Sequence, residues 1–181
     1  MSESQPKTPL WLFFDECMSP RVEERLREFY QHDYAPKCTS SEYDFRTLHL
    51  TDFTRAGEDD PEWLQKLGDE PDWVVVSVDY GRDRKKPRLP LLCEELGRTY
   101  VLLSPDLRPY LRQKQSLVEV WRMLKLVPFL PKGSRVKLRP RNIKGDVKVF
   151  QLVVYSPGKR DNWELIHQWC SRNEIPLAPI Q

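Results

Sequence analysis

A chain of 181 residues, 39% hydrophobic and 31% charged with a formal net charge of +2, can bury a proper core in one domain or in one domain with a short appendage. That charge balance excludes a whole-molecule polycation, so nucleic-acid binding would have to rest on a local basic patch. Four cysteines (Cys17, Cys38, Cys93 and Cys170) stand far apart with no C-x-x-C, which excludes a zinc ribbon or a disulfide framework and points to a reducing, cytoplasmic setting.

No apolar run is long enough to span a bilayer. Residues 1–8 are polar and read as a disordered lead. Leu10–Phe14 is too short for a signal-peptide core of about seven to fifteen residues, and an acid follows it at once. It predicts a strand buried on both faces, because its apolar residues run without alternation. Ser19 and Pro20 start a helix, as N-cap and first helical residue, whose apolar face is Val22, Leu26, Phe29 and Tyr30. After a loop from Cys38 to Tyr43, Phe45–Leu50 predicts a second strand. Asp59-Asp60-Pro61-Glu62 opens another helix, with Asp60 as its N-cap and Trp63, Leu64 and Leu67 facing inward. Trp73–Val78 is the clearest strand, rich in β-branched residues.

A basic loop, Arg82–Arg88, leads to a helix through Leu91, Leu92 and Leu96 that ends at Gly97. Thr99–Leu103 is the next strand, and Gln113–Val127 a long amphipathic helix carrying Leu117, Val120, Trp121 and Leu124. Strands and helices in alternation predict a mainly parallel sheet with helices on both faces. Residues 1–127 form this α/β domain. Residues 128–181 break the pattern and read as a C-terminal extension: strands Ser134–Arg139 and Val147–Tyr155 around a turn at Lys144-Gly145-Asp146, then a helix Trp163–Arg172 burying Trp163, Ile166 and Cys170. The hairpin could pack on the core or extend the main sheet. His167 and Cys170, three apart, mark a helix face rather than a metal pair, and His32 and His49 have no ligand-spaced partner.

Carboxylates follow two apolar runs directly: Asp15, with Glu16, after Phe14, and Asp79 after Val78. Open α/β sheets bind ligands at the carboxyl ends of their strands. Asp60 and Asp83 add two more acids. Asp60 has a helix cap as its rival reading, and Asp83 an ion pair with Arg82 or Arg84. Glu16 is either a ligand or a complement to the positive end of the following helix. Converging carboxylates raise one another's pKa unless a cation offsets them. Asp15, Glu16, Asp60, Asp79 and Asp83 therefore predict a hard-cation site with oxygen ligands for Mg²⁺ or Mn²⁺. Arg21, Arg82, Arg84, Lys85, Lys86 and Arg88 could neutralise substrate phosphates beside it. In the extension, Arg135, Lys137 and Arg139 would share one strand face, with Arg141, Lys144 and Lys148 nearby, a pattern that suits RNA, DNA or an acidic partner.

Three of these segments resemble the small prokaryotic PIN-like domains. Phe13-Phe-Asp-Glu-Cys-Met-Ser-Pro20 is similar to their L-D-E-N-L-S-P opening, Asp59-Asp-Pro-Glu-Trp63 to their D-x-x-W/I helix start, and Val74-Val-Val-Ser-Val-Asp79 to their V-I-T-x-D strand. Order and spacing agree across roughly Leu10 to Val127. The resemblance implies a three-layer α/β/α fold and an Mg²⁺- or Mn²⁺-dependent endoribonuclease with Asp15, Asp60 and Asp79 as catalytic acids and Glu16 beside them. It implies hydrolysis by metal-activated water to a 5′-phosphate and a 3′-hydroxyl. It also implies a toxin with a cognate antitoxin partner, and is compatible with a homodimer. The sequence departs from the family at Gly81, where many relatives carry a second acid two residues after the third. That departure keeps a second reading open, a non-catalytic PIN-like module binding RNA or protein. A nucleotide-binding α/β domain is disfavoured, since no Gly-rich phosphate loop follows either strand.

Overall fold

The structure, a computed structural model, describes residues 7–35, 43–55, 57–68, 72–80, 88–141, 149–156 and 162–177. Strand β1 (Thr8–Phe14) is continuous in apolar residues because both its faces are covered. Leu10, Leu12 and Phe14 enter one core, and Phe13, with Trp11 at its margin, enters another. Helix α1 (Pro20–Glu28) starts where expected, with Ser19 extended at the N-cap position, although the serine side chain makes no capping hydrogen bond. A π-helical turn, Phe29–Tyr34, continues it.

Strand β2 (Tyr43–His49) begins two residues earlier than the sequence suggests. Leu50 leaves it for a short helix, α2 (Leu50–Phe53), because the His49 ring accepts the Thr51 backbone N–H at 3.2 Å and caps that turn. Helix α3 (Asp60–Leu67) corrects the expected cap: Asp59 holds the N-cap position, its carbonyl accepting from the Glu62 and Trp63 N–H groups, and Asp60 is the first helical residue. Strand β3 (Val74–Ser77), helix α4 (Leu89–Glu95) and strand β4 (Tyr100–Leu103) follow.

The single helix expected over Gln113–Val127 is instead two, α5 (Tyr110–Glu119) and α6 (Trp121–Leu124), joined at Val120. The Ser116 hydroxyl donates back to the Gln113 carbonyl at 3.0 Å, a bond that bends helices, and the break aims Trp121 and Leu124 into the core. Strands β5 (Arg135–Pro140), β6 (Phe150–Tyr155) and β7 (Trp163–Leu165) and helix α7 (Ile166–Arg172) complete the chain. Trp163 is therefore on a strand and half-buried, not in the last helix, because it pairs with Tyr155 in an antiparallel ladder. The turn expected at Lys144-Gly145-Asp146 lies outside the described residues.

All seven strands form one sheet in the order β2-β1-β3-β4-β5-β6-β7. The first five are parallel to one another, and β6 and β7 run antiparallel. The tail hairpin thus extends the main sheet, β5 pairing directly with β4. One core packs α1, α5, α6 and α7 on the first face; a smaller one packs α2, α3 and α4 on the second. The result is a three-layer α/β/α fold. Among the described residues no helix is long and apolar enough to cross a membrane.

Candidate functional site

The strand order 2-1-3-4-5 has its topological switch between β1 and β3, since the chain leaves β1 toward one edge and resumes on its other side. A crevice outside the carboxyl ends of strands at such a point is where open α/β sheets hold ligands. Asp15 and Asp79 stand on either side of it. The Asp15 N–H donates to the Val76 carbonyl at 3.1 Å and prolongs the β1–β3 pairing by one residue. Alternation then turns its side chain to the same face as Ser77.

Ser77 ties the two acids together. Its hydroxyl donates to Asp15 Oδ2 at 2.7 Å and accepts the Asp79 N–H at 2.8 Å. Asp15 Oδ1 accepts the Glu16 N–H at 2.7 Å, and the Tyr100 hydroxyl donates to the Asp79 carbonyl at 2.7 Å. Asp15 is only 2% exposed, whereas Asp79 is half-buried and Glu16 exposed. Asp60, half-buried in the first turn of α3, accepts the Trp63 Nε1–H on its Oδ1 at 3.0 Å. Trp63 is itself stacked on Phe13 of β1, ring centroids 5.1 Å apart.

Burial and neighbouring carboxylates act together on the acid and thiol groups of this region. Burial raises the Asp15 pKa above its ordinary value; the Ser77 hydrogen bond works against that, and the Asp60 carboxylate adds to it. Cys17 is exposed as a residue, yet desolvation of its sulfur, then the charges of Asp15 and Asp79, push its thiol up to about 12. Burial first and Asp60 next hold the Cys93 thiol well above the usual thiol range, with Asp15 contributing in the same direction. Asp15 is thus the common neighbour of Asp60 on one side and Asp79 on the other.

Among the described residues no three His, Cys, Asp or Glu side chains form a metal-holding group. The donor chemistry nevertheless fits Mg²⁺ or Mn²⁺: a buried carboxylate, oriented by the Ser77 hydroxyl and the Glu16 N–H, has Asp60 and Glu16 as charged neighbours and pairs with no cation among the described residues. Mg²⁺ commonly takes only one or two carboxylates and completes its shell with water and substrate phosphate. Arg21 is exposed in the first turn of α1. Asp83, Arg82, Arg84, Lys85 and Lys86, with Gly81, lie outside the described residues.

Sequence reasoning missed two residues of this site. Ser77 had a signal, a lone hydroxyl in an apolar strand, and is fully buried. Tyr100 had none beyond its place at the start of β4. His49, 1% exposed, supports the site from behind: its Nε2–H donates to the Met18 carbonyl at 2.9 Å, which pins the loop after Asp15. Ser77→Ala should deprive the half-buried Asp79 N–H of its Ser77 acceptor and remove the hydrogen bond that most favours the charged form of Asp15. We expect a loss of about 1–3 kcal/mol in stability and an upward shift of the Asp15 carboxyl titration followed by ¹³C NMR. An unmoved titration would show that Ser77 does not govern Asp15.

Residues 11–96 match a family model described as a PIN like domain. That span, a little under half of the chain, runs from within β1 to the turn after α4 and contains Asp15, Asp60 and Asp79. No curated protein and no solved structure matches the chain.

Proposed function

We propose, with the PIN-like character of residues 11–96 as the premise, that this chain is a divalent-metal-dependent endoribonuclease and the toxin of a toxin–antitoxin pair. The observation that carries the reading is the placement of Asp15 and Asp79 across the β1/β3 switch point, joined through the Ser77 hydroxyl. Asp15, Asp60 and Asp79 would hold Mg²⁺ or Mn²⁺, with Glu16 and Asp83 as further oxygen donors. The bound ion would supply a water of lowered pKa and charge compensation for the scissile phosphate. The chain's own residues supply position. Ser77 and the Glu16 N–H fix both oxygens of Asp15, so its carboxylate has one orientation. The Trp63 Nε1–H holds one oxygen of Asp60, Oδ1. The wall of β1 and β3 keeps bulk water from the back of Asp15, which strengthens its interaction with a cation. Arg21, exposed and free of ion pairs among the described residues, would meet a phosphate of the substrate.

A second reading, a PIN-like module that binds RNA or a protein partner without cutting, is favoured by one observation: Gly81 stands where many PIN-like domains carry a further acid. The two separate in a single assay. Purified chain is incubated with single-stranded RNA in Mg²⁺, in Mn²⁺ and in EDTA. Cleavage that needs metal and leaves 5′-phosphate ends supports the nuclease. Salt-sensitive binding without cleavage in either metal supports the module. Equal cleavage by wild type and by the Asp15→Asn/Asp79→Asn double variant would overturn the nuclease reading, because a contaminant would then account for the activity. The toxin role adds growth arrest on induction of the wild type in bacteria, absent for the double variant and relieved by the cognate antitoxin.

A further inference from the structure

Among the described residues the second helical layer stops at β4. None of those in β5, β6 or β7 belongs to the second core, whose last contributions from the sheet are Tyr100 and, at its margin, Leu102. Register places Arg135 beside Tyr100 and Lys137 beside Leu102, while β6 and β7 bring Tyr155 and Trp163 to the same face. The expectation that Arg135, Lys137 and Arg139 share a face holds: Val136 and Leu138, between them, enter the first core. Rings and cations alternate on this half-buried face, around Val153, which is fully buried. The Arg135 guanidinium lies 3.9 Å over the Tyr155 ring, and Tyr155 meets Trp163 edge to face at 5.6 Å. The Lys137 ammonium stands 5.8 Å from the Trp163 ring centre and 5.9 Å from that of Tyr80.

A pocket of about 190 Å³ opens here, lined by Tyr80, Arg88, Tyr100, Leu102, Arg135 and Trp163. That is below the roughly 300–1,000 Å³ of drug-sized ligand sites and matches the scale of one planar ring system. It adjoins the acidic site, since Tyr80 follows Asp79 and the Tyr100 hydroxyl holds the Asp79 carbonyl. Charge selects the occupant. Arg135 has Glu94 as a partner at 3.5 Å, but Lys137, Arg139 and Arg88 form no ion pair among the described residues. Aromatic faces beside unpaired cations are what single-stranded nucleic acid uses, bases stacking on rings while the backbone follows the positive groove. An acidic peptide would use the cations and leave the rings idle.

We infer that β5–β7 form a single-strand subsite: one base stacks in the Trp163–Tyr80 pocket, and the adjoining phosphates run over Lys137 and Arg139. The inference rests on the nuclease reading only for what it serves, which is to hold the strand that crosses the acidic site. It also gives the chain beyond residue 96 a task that the PIN-like span does not supply.

The test is binding without metal. Anisotropy of a fluorescein-labelled single-stranded RNA is titrated in EDTA, so cleavage cannot enter. Trp163→Ala should bind roughly tenfold or more weakly, Trp163→Phe should recover most of the affinity, and a duplex of the same sequence should bind the wild type and Trp163→Ala alike. Lys137→Gln should lower the salt slope by about 0.7, one phosphate contact on a single strand. Equal binding of the corresponding DNA strand would also support the subsite, because stacking and phosphate pairing do not use the 2′-hydroxyl. Folded Trp163→Ala with wild-type affinity would overturn it. If Trp163→Ala does not fold, an unchanged salt slope for Lys137→Gln overturns it instead, as does polyglutamate that competes as well as RNA. Wild type that binds single strands here but never cuts them keeps the subsite and defeats the nuclease. Wild type that cuts, with Trp163→Ala unchanged in binding and cutting, defeats the subsite alone.

Discussion

For the nuclease proposed above, Asp15→Asn is expected to lower RNA cleavage by a factor on the order of 10³ while leaving the chain at least as stable as the wild type. The two effects share one cause. Asp15 is buried, and its pKa is raised chiefly by that burial, so its charge opposes folding until a cation offsets it. Between its ordinary value of 3.8 and its raised value, the folded chain binds more protons than the unfolded one, and stability falls as pH rises through that window. Below 3.8 the penalty is absent; above the raised value it is complete. Asp15→Asn removes the ionisation altogether. Its gain over the wild type should therefore be largest above the window, of the order of 1 kcal/mol or about 2–4 °C in Tm, and should close as pH falls toward 3.8. Added Mg²⁺ should raise the Tm of the wild type by mass action and leave the variant unmoved. Melting curves across pH, with and without metal, read all of this. A variant that cleaves at the wild-type rate, or whose Tm falls at neutral pH, would remove Asp15 from the site.

The second large effect is expected at Trp63, which joins the core to the site. Its ring is fully buried against Phe13, and its Nε1–H is spent on Asp60. Trp63→Ala empties the centre of the smaller core and should cost about 3–5 kcal/mol. Trp63→Phe is the more informative change. It keeps an aromatic ring against Phe13 and removes only the donor, so most of the stability should remain while cleavage falls about 10–100-fold, the usual cost of losing a group that orients a ligand. Denaturant melts beside cleavage rates separate the two. Full activity in a stable Trp63→Phe would mean that Asp60 needs no orientation from it, and that its place in the first turn of α3 is its whole role.

How much of this could be read from the sequence depended on whether a feature is local. Leu10–Phe14 was legible as a buried strand because burial on both faces erases alternation, and the structure covers both faces. Asp59 and Asp60 fit the cap equally well by composition; only the direction of the Glu62 and Trp63 N–H groups decides between them. Trp163, Ile166 and Cys170 are spaced as a helix face, yet Trp163 belongs to a strand because its partner Tyr155 lies across a ladder that local spacing cannot encode. The 2-1-3 strand order was likewise invisible, since runs of apolar residues do not name their neighbours. For the candidate site, strand ends pointed to Asp15 and Asp79, but the hydroxyl between them could not be paired with either acid until the strands were placed.

That hydroxyl also sets a clock. The Asp15–Ser77 hydrogen bond closes a span of 62 residues, and β1 lies in the sheet between β2 and β3, two strands that are made later. Pairings between distant segments form slowly and late in folding. A chain still emerging from the ribosome therefore carries Asp15 on a strand with at most β2 beside it, and Asp15 and Asp79 are brought together only when β3 has been made and docked. Whatever this site does, it cannot do before Asp79 has been translated.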